Sequence, residues 1–183
     1  MTYVTTLLAT THEKAKFSCG NVMLDDYIQK QAKQDIKAKV SVCFILSDDD
    51  KEIKGYYTLS NGSIPRSQLP ESIIKQLPKY KDLPIILLGR LAIDNKFKRQ
   101  KSGTMIFLDA LKRSFDLSAS SVASMAVIVD PIDQQATDFY TRYGFIPLPD
   151  SGRMFLPMAT IEQLFKIILS YQIPIRFYQK NKK

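Results

Sequence analysis

The chain has 183 residues, 45% hydrophobic and 24% charged, the mix of a globular domain rather than of a disordered or low-complexity chain. Its densest apolar run, residues 84–88, falls far short of the roughly 18 residues that span a membrane, and residues 1–11 lack the basic start and apolar core of a leader. Two cysteines and one histidine supply neither a disulfide framework nor a metal site, which points to the cytoplasm, and the net charge of +8 draws polyanions such as nucleic acid, nucleotide cofactors or anionic lipid.

Residues 21–36 carry Leu24, Tyr27 and Ile28 at helical spacing. Residues 40–46 are rich in β-formers and run into Asp48, Asp49 and Asp50, a turn, so 53–59 reads as the second strand of a hairpin. Within the first of these strands, Cys43 reads as a small core residue and not as a nucleophile. A short helix over 71–77 is closed by Pro78. Residues 87–93 form a central strand, apolar on both faces except for Arg90. Apolar positions 105, 108, 111 and 115 make a helix stripe over 103–117, followed by a short buried strand, Ala126–Val129. Asp133 caps a helix whose inner face is Ala136, Phe139, Tyr140 and Tyr143, and Gly144 ends it. Residues 153–158 give a last strand, and Thr160 with Gln163 makes a capping box for a helix through Ser170. No repeat or linker divides the chain, so residues 1–183 read as one domain with a frayed tail at about 176–183. The order predicts a mixed α/β sandwich with helices packed on a sheet and a right-handed β-α-β step.

Chemistry concentrates in two places. The strand-to-helix junction over 93–104 holds Lys96, Lys98, Arg99 and Lys101 just before a helix N-terminus, where unpaired backbone N–H groups and the dipole favour an anion. On spacing alone it reads either as a phosphate loop or as a solvated basic loop, since only Gly103 offers the backbone freedom such loops use. The second is Phe139-Tyr140-Thr141-Arg142-Tyr143-Gly144-Phe145, an aromatic stripe at core spacing. A tyrosine there can also pass a proton, and its usual pKa near 10 favours the acid role. His12 reads as exposed. Arg90 either lines a cleft or snorkels to the sheet edge, and Arg66, Lys75, Lys79 and Lys81 offer cations to a nucleic-acid face.

These stretches resemble the GNAT N-acetyltransferase superfamily. Leu87-Leu88-Gly89-Arg90-Leu91-Ala92-Ile93-Asp94 is similar to its central strand. Residues 98–103 fall where its Gln/Arg-x-x-Gly-x-Gly/Ala loop belongs, and residues 136–145 resemble its A-x-x-F-Y-x-x-F-G-F helix. Phe17-Ser18-Cys19-Gly20-Asn21-Val22-Met23-Leu24-Asp25-Asp26-Tyr27-Ile28 resembles the F-x-S/C-G-x-x-x-L-D-x-W/Y-L opening of the GNAT toxins of toxin–antitoxin systems. Gly55-Tyr56-Tyr57-Thr58-Leu59-Ser60 resembles their G-Y-Y-x-L-A/S strand.

The resemblance implies a GNAT-like fold, a mixed and mostly antiparallel sheet with helices on both faces. It implies an acetyl-CoA-dependent enzyme that opens a V-shaped cleft beside the central strand, with no metal. Main-chain groups of Leu91, Ala92 and Ile93 would pair with the pantetheine arm. Amides of Arg99, Gln100, Lys101, Ser102, Gly103 and Thr104 would hold the pyrophosphate, with charge added by Lys98 and Arg99. Phe139 would wall the arm, and Tyr140 would protonate or hydrogen-bond the departing thiolate. Relatives of this kind acetylate the α-amine of aminoacyl-tRNA, are restrained by a ribbon-helix-helix antitoxin and form homodimers. A small amine or a protein amine is the alternative acceptor. Lys101 departs from the family's loop glycine: in a left-handed conformation it costs on the order of 1 kcal/mol and crowds the pyrophosphate, or else its ammonium pairs with a phosphate and offsets the strain. A non-catalytic binding module is the reading if the loop is lost.

Overall fold

The computed structural model describes residues 3–149 and 151–170; the expected frayed tail lies outside them. In chain order come β1 (Thr6–Leu7), α1 (Val22–Asp26), a π turn (Tyr27–Gln31), α2 (Ala32–Lys37), β2 (Val42–Leu46), β3 (Gly55–Pro65), α3 (Glu71–Ile74), β4 (Asp82–Ile93), α4 (Ser102–Ser120), β5 (Ala126–Val129), α5 (Gln134–Arg142), β6 (Ile146–Pro147), β7 (Met154–Pro157) and α6 (Met158–Ser170). One seven-stranded sheet takes the spatial order β1-β2-β3-β4-β5-β7-β6. Only β4 and β5 run parallel, joined through α4; every other pairing is antiparallel.

Period-2 alternation sends neighbouring residues to opposite faces. Phe44 and Leu46 join Tyr57, Leu88, Phe107 and Phe165 under α4 and α6. Cys43 and Ile45 join Tyr56, Tyr27 and Ile28 under the α1–α2 segment, and Ile85 and Ile128 lie with Ile64 and Ile73 beside α3. Helices therefore cover both faces. Both cysteines are free and buried, which fits a packing role for Cys43.

Several boundaries differ from the sequence reading, each for a physical reason. The helix expected over 21–36 is interrupted, because the Ala32 amide bonds back to the Tyr27 carbonyl five residues earlier. That widened turn brings Tyr27, Ile28 and Ala32 together against the sheet. The hairpin partner of β2 continues to Pro65 against a β4 that begins at Asp82. Asn61, Gly62 and Ser63 lack strand propensity, but the cross-strand ladder overrides it. The helix expected over 71–77 ends at Ile74. The capping box at Thr160 does not form: the Met158 amide donates to Met125 O at 2.9 Å, so α6 starts directly after β7 and Thr160 falls inside its first turn. Strands β1 and β6, two residues each, carry no pattern long enough to read. His12, expected to be exposed, is 5% exposed; its Nδ1 accepts the Ala9 amide at 2.9 Å and its Nε2 is buried without a partner among the described residues. No described helix is long and apolar enough to cross a membrane.

Candidate active site

The site begins with a defect in the ladder. Leu59 pairs with Leu88 and Thr58 with Arg90, leaving Gly89 as an extra residue in β4. Such a bulge bends and twists its strand. On the other edge, β4 pairs with β5 only from Ile86–Val127 to Leu88–Val129, although β4 continues to Ile93. Past Leu88 the two parallel strands part, and the main-chain edge of Leu91, Ala92 and Ile93 is left facing a cleft of about 410 Å³. The expected opening is there, and these three residues line it together with Lys98, Gly103, Phe139 and Tyr140.

The opposite wall is the start of α1, stitched to the end of β4. Asp94 accepts the Ser18 amide at 2.8 Å, and the Asn95 amide donates to Ser18 O at 2.9 Å. Asp25 accepts the Cys19 amide at 2.7 Å, while Asn21 caps the helix by accepting from Met23 and Leu24. Gly20, at φ +85°, makes the turn between them. These bonds give the Phe17–Ile28 motif a physical reason, and they place Cys19, Asn21 and Leu24 on the cleft.

Beside the cleft runs the loop into α4, of which Lys98 and Gly103 are lining residues and Arg99, Gln100, Lys101, Ser102 and Thr104 are not; it has two left-handed residues, Arg99 (φ 63°) and Lys101 (φ 62°). Alternating backbone handedness turns successive N–H groups to one side, a concavity suited to an anion. The amides of Ser102, Gly103 and Thr104 lie in the first turn, where no intrahelical acceptor exists, and no other backbone carbonyl takes them among the described residues. Lys98 donates through Nζ to Cys19 O at 2.7 Å, so its ammonium braces the two walls. Gln100 donates to Lys96 O at 3.2 Å. The side chains of Arg99 and Lys101 are exposed, free to add charge at the rim.

α5 closes the remaining side. Asp133 accepts the Ala136 amide at 2.7 Å, the expected cap. Phe139, Tyr140, Tyr143 and Phe145 pack around Phe107 with ring centroids 4.6–6.1 Å apart. The Tyr143 hydroxyl meets Thr104 Oγ1 at 3.1 Å, tying α5 to the first turn of α4. Tyr140 is 9% exposed. Burial, and secondarily the carboxylate of Asp130, pushes its phenol up to about 12. The group is therefore protonated at neutral pH and able to donate a hydrogen bond.

Sequence reasoning did not single out Leu24, Ile132 or Gln135 on the cleft, nor the Thr104–Tyr143 link. Only the Asp133 cap and the α1 motif hinted at them. Arg90 is not among the cleft's lining residues; its guanidinium lies 3.7 Å from the Tyr27 ring centroid. Arg66 is committed to Ile74 O at 2.7 Å. Lys75, Lys79 and Lys81 are exposed but precede β4, at the strand end away from the cleft.

An amide-lined anion seat, a slot with a free strand edge and a buried phenol match what a phosphate-bearing thioester requires. No family model matches the chain. It is 29% identical over 162 residues, 84% of this chain and 89% of the relative, to a probable toxin TacT from Sinorhizobium fredii. It is 30% identical over 138 residues, 75% of this chain and 81% of the relative, to a tRNA-acetylating toxin from Mycobacterium tuberculosis. Among solved structures, AtaT complexed with acetyl-methionyl-tRNAfMet superposes with a TM-score of 0.80 at 28% identity, over 88% of this chain and 98% of that one. AtaTR bound with AcCoA does so with 0.77 at 28%, over 88% and 96%. A Tyr→Phe mutant of AtaT bound to the C-terminus of the antitoxin AtaR gives 0.75 at 25%, over 88% and 96%.

Proposed function

As a member of the family of tRNA-acetylating GNAT toxins, the chain is an acetyl-CoA-dependent acetyltransferase, and we propose that it acetylates the α-amine of an aminoacyl-tRNA with Tyr140 as hydrogen-bond donor to the departing thiolate. The observation that carries this reading is the Tyr140 phenol, buried on the wall of the cleft where β4 and β5 part. The free edge of Leu91, Ala92 and Ile93 pairs with the pantetheine arm as an added strand would. Amides from Arg99 to Thr104 hold the pyrophosphate, and Phe139 walls the arm.

Bound there, acetyl-CoA supplies an activated acyl group that a neutral amine attacks directly. Tyr140 then stabilises the charge that gathers on sulfur. Raised to about 12, the Tyr140 phenol is protonated at neutral pH and serves the departing thiolate as general acid, by its hydrogen bond or by its proton. The net charge of +8 suits a tRNA, whose phosphates dominate affinity, and such a substrate sets the reaction in the cytoplasm. By analogy with the AtaT structure that holds its antitoxin's C-terminus, a small antitoxin restrains the enzyme.

The test is transfer of radiolabelled acetyl groups to a panel of charged tRNAs. We expect label on at least one, and Tyr140→Phe to lower kcat by a factor of order 10² with acetyl-CoA affinity within about twofold. Label on no charged tRNA overturns the substrate, and full activity in the Phe variant overturns the role of Tyr140.

A further inference from the structure

We propose that Arg90 is a specificity residue for the acceptor: its guanidinium, laid on the ring of Tyr27 where β4 leaves β5, takes a phosphate of the nucleic-acid strand that carries the amine. This rests on the tRNA reading of the site. Four described arginines are half-buried: Arg66, Arg90, Arg113 and Arg153. Arg66 donates to Ile74 O, Arg113 to the Tyr57 hydroxyl with Asp109 in ion-pair range, and Arg153 to Asp130. Arg90 has neither a hydrogen-bond acceptor nor a paired carboxylate among the described residues. What it has is the Tyr27 ring, 3.7 Å from centroid to guanidinium carbon. That ring is itself fixed, buried and tied through its hydroxyl to Ser41. A guanidinium stacked on an aromatic face keeps its in-plane N–H fork free, and the fork matches a phosphate. A half-buried charge with no counter-ion is costly, so this is a position that a ligand completes.

The bulge at Gly89 is what aims the side chain. Leu88 belongs to the core under α4 and α6, and strict alternation would send residue 90 to that same side. The extra residue shifts the period. Leu91 therefore returns to the α4 side, while Ala92 joins Tyr27 on the opposite face, where Arg90 also lies. On that face the apolar covering comes in two pieces, one built on Tyr27 and Ile28, the other on Ile64 and Ile85. Arg90 falls on β4 between Leu87 of the second and Ala92 of the first. Leu88 is also the last residue of β4 to pair with β5. Arg90 thus stands at the opening between the strands, on the side away from α4 and its pyrophosphate loop. With the cofactor arm in the slot from the α4 side, the other side is left for the acceptor. A nucleic-acid strand brings a phosphate with every nucleotide, whereas a free amine or a peptide amine brings none, so the same contact selects between acceptors.

The experiment compares Arg90→Gln, which removes the charge, with Arg90→Lys, which keeps the charge and loses the fork. The probe is deacylated tRNA, bound to the full chain over a salt series, which reports the contact whether or not transfer occurs. Arg90→Gln should weaken binding about tenfold at low salt and lower the slope of log K against log salt by about 1. Arg90→Lys should keep the slope and lose less affinity. Calorimetry should show wild-type affinity for acetyl-CoA in both. An unaltered salt slope in Arg90→Gln overturns the proposal and leaves Arg90 a packing partner of Tyr27. Parallel loss of acetyl-CoA affinity also overturns it, placing the guanidinium on the cofactor's phosphates. Should Arg90→Gln not fold, wild-type tRNA affinity in Arg90→Lys overturns it as well. A wild type that binds tRNA through Arg90 yet acetylates no charged tRNA sinks the substrate reading and keeps the contact. A wild type that acetylates charged tRNA with a KM indifferent to Arg90→Gln does the reverse.

Discussion

A lysine in the left-handed region is an uncommon choice for the residue that opens a helix, since its Cβ crowds the following carbonyl. Lys101 sits there with φ 62° and ψ 3° because the loop must reverse twice within three residues to aim its amides inward. The side chain is exposed, which leaves its ammonium available to a phosphate. Lys101→Gly should therefore raise stability by about 1 kcal/mol in denaturant unfolding. It should also weaken acetyl-CoA by about two- to fivefold at low salt, the size of an exposed charge contact. Calorimetry with a salt series decides; tighter binding of the glycine variant would mean that the lysine obstructs the pyrophosphate. The left-handed backbone at Lys101 agrees with the glycine that the resembling GNAT loop carries at this position. The direction of the Lys98 ammonium was not legible in the sequence, because its partner, the Cys19 carbonyl, is 79 residues away.

At the scale of elements, the cleft exists because β4 is held on one side and released on the other. β3 holds it from Asp82 to Ile93, and of the glycines in these two strands Gly55 leaves the least room for a side chain. A Cβ built on Gly55 would lie 2.5 Å from Ile93 Cδ1 and 2.9 Å from Ala92 O, and backbone cannot yield cheaply at that range. Gly55→Ala should push the end of β4 toward the cleft, destabilise the fold by about 1–3 kcal/mol and weaken acetyl-CoA binding, read by denaturant unfolding and calorimetry on the same preparation. Unchanged binding would mean that the free edge at Leu91, Ala92 and Ile93 does not hold the cofactor. Hydrophobic periodicity found β4, α4, β5 and α5 in their true order. The Gly89 bulge escaped it, since a glycine in an apolar strand looks the same whether or not it is the unpaired residue.

Across the whole molecule, a buried polar network fastens the start of the chain to α4. Asp109, 0% exposed, accepts the Val4 amide at 2.7 Å and the hydroxyls of Thr5 and Tyr57 at 2.6 Å each. Arg113 donates to the Tyr57 hydroxyl at 2.9 Å and lies between the rings of Tyr3 and Phe44, 3.7 and 4.1 Å from their centroids. Burial holds several phenols protonated. Tyr3 rises to about 12, helped by its bond to Asp116, Tyr140 rises to about 12, and Tyr56 and Tyr57 rise further. In this window the folded state binds more protons than the unfolded state, whose phenols titrate near 10. Stability from these groups is complete below pH 10 and is lost as pH climbs toward 12. Melting temperature should fall steeply between pH 10 and 11.5, with tyrosinate absorbance appearing together with unfolding. Tyrosinate absorbance from most phenols at pH 10 in the folded protein would contradict the network.

By itself the sequence determined the class of fold, the order of the main elements, the loop and helix that meet at the cleft, and Tyr140 as the residue to test. The fold class and the order of elements are written in local spacing, in periods of two and near four, a cap and a breaker, whereas the loop and Tyr140 stood out through the resemblance of their motifs to the GNAT family. Tertiary structure alone decided that β4 leaves β5 after Leu88, that Lys98 braces the opposite wall, and that Arg90 stacks on Tyr27. It also decided that His12 is buried and that Asp133 shares a cleft with Tyr140. All of these depend on which distant segments come within a few ångströms of one another, and local pattern carries no record of that distance.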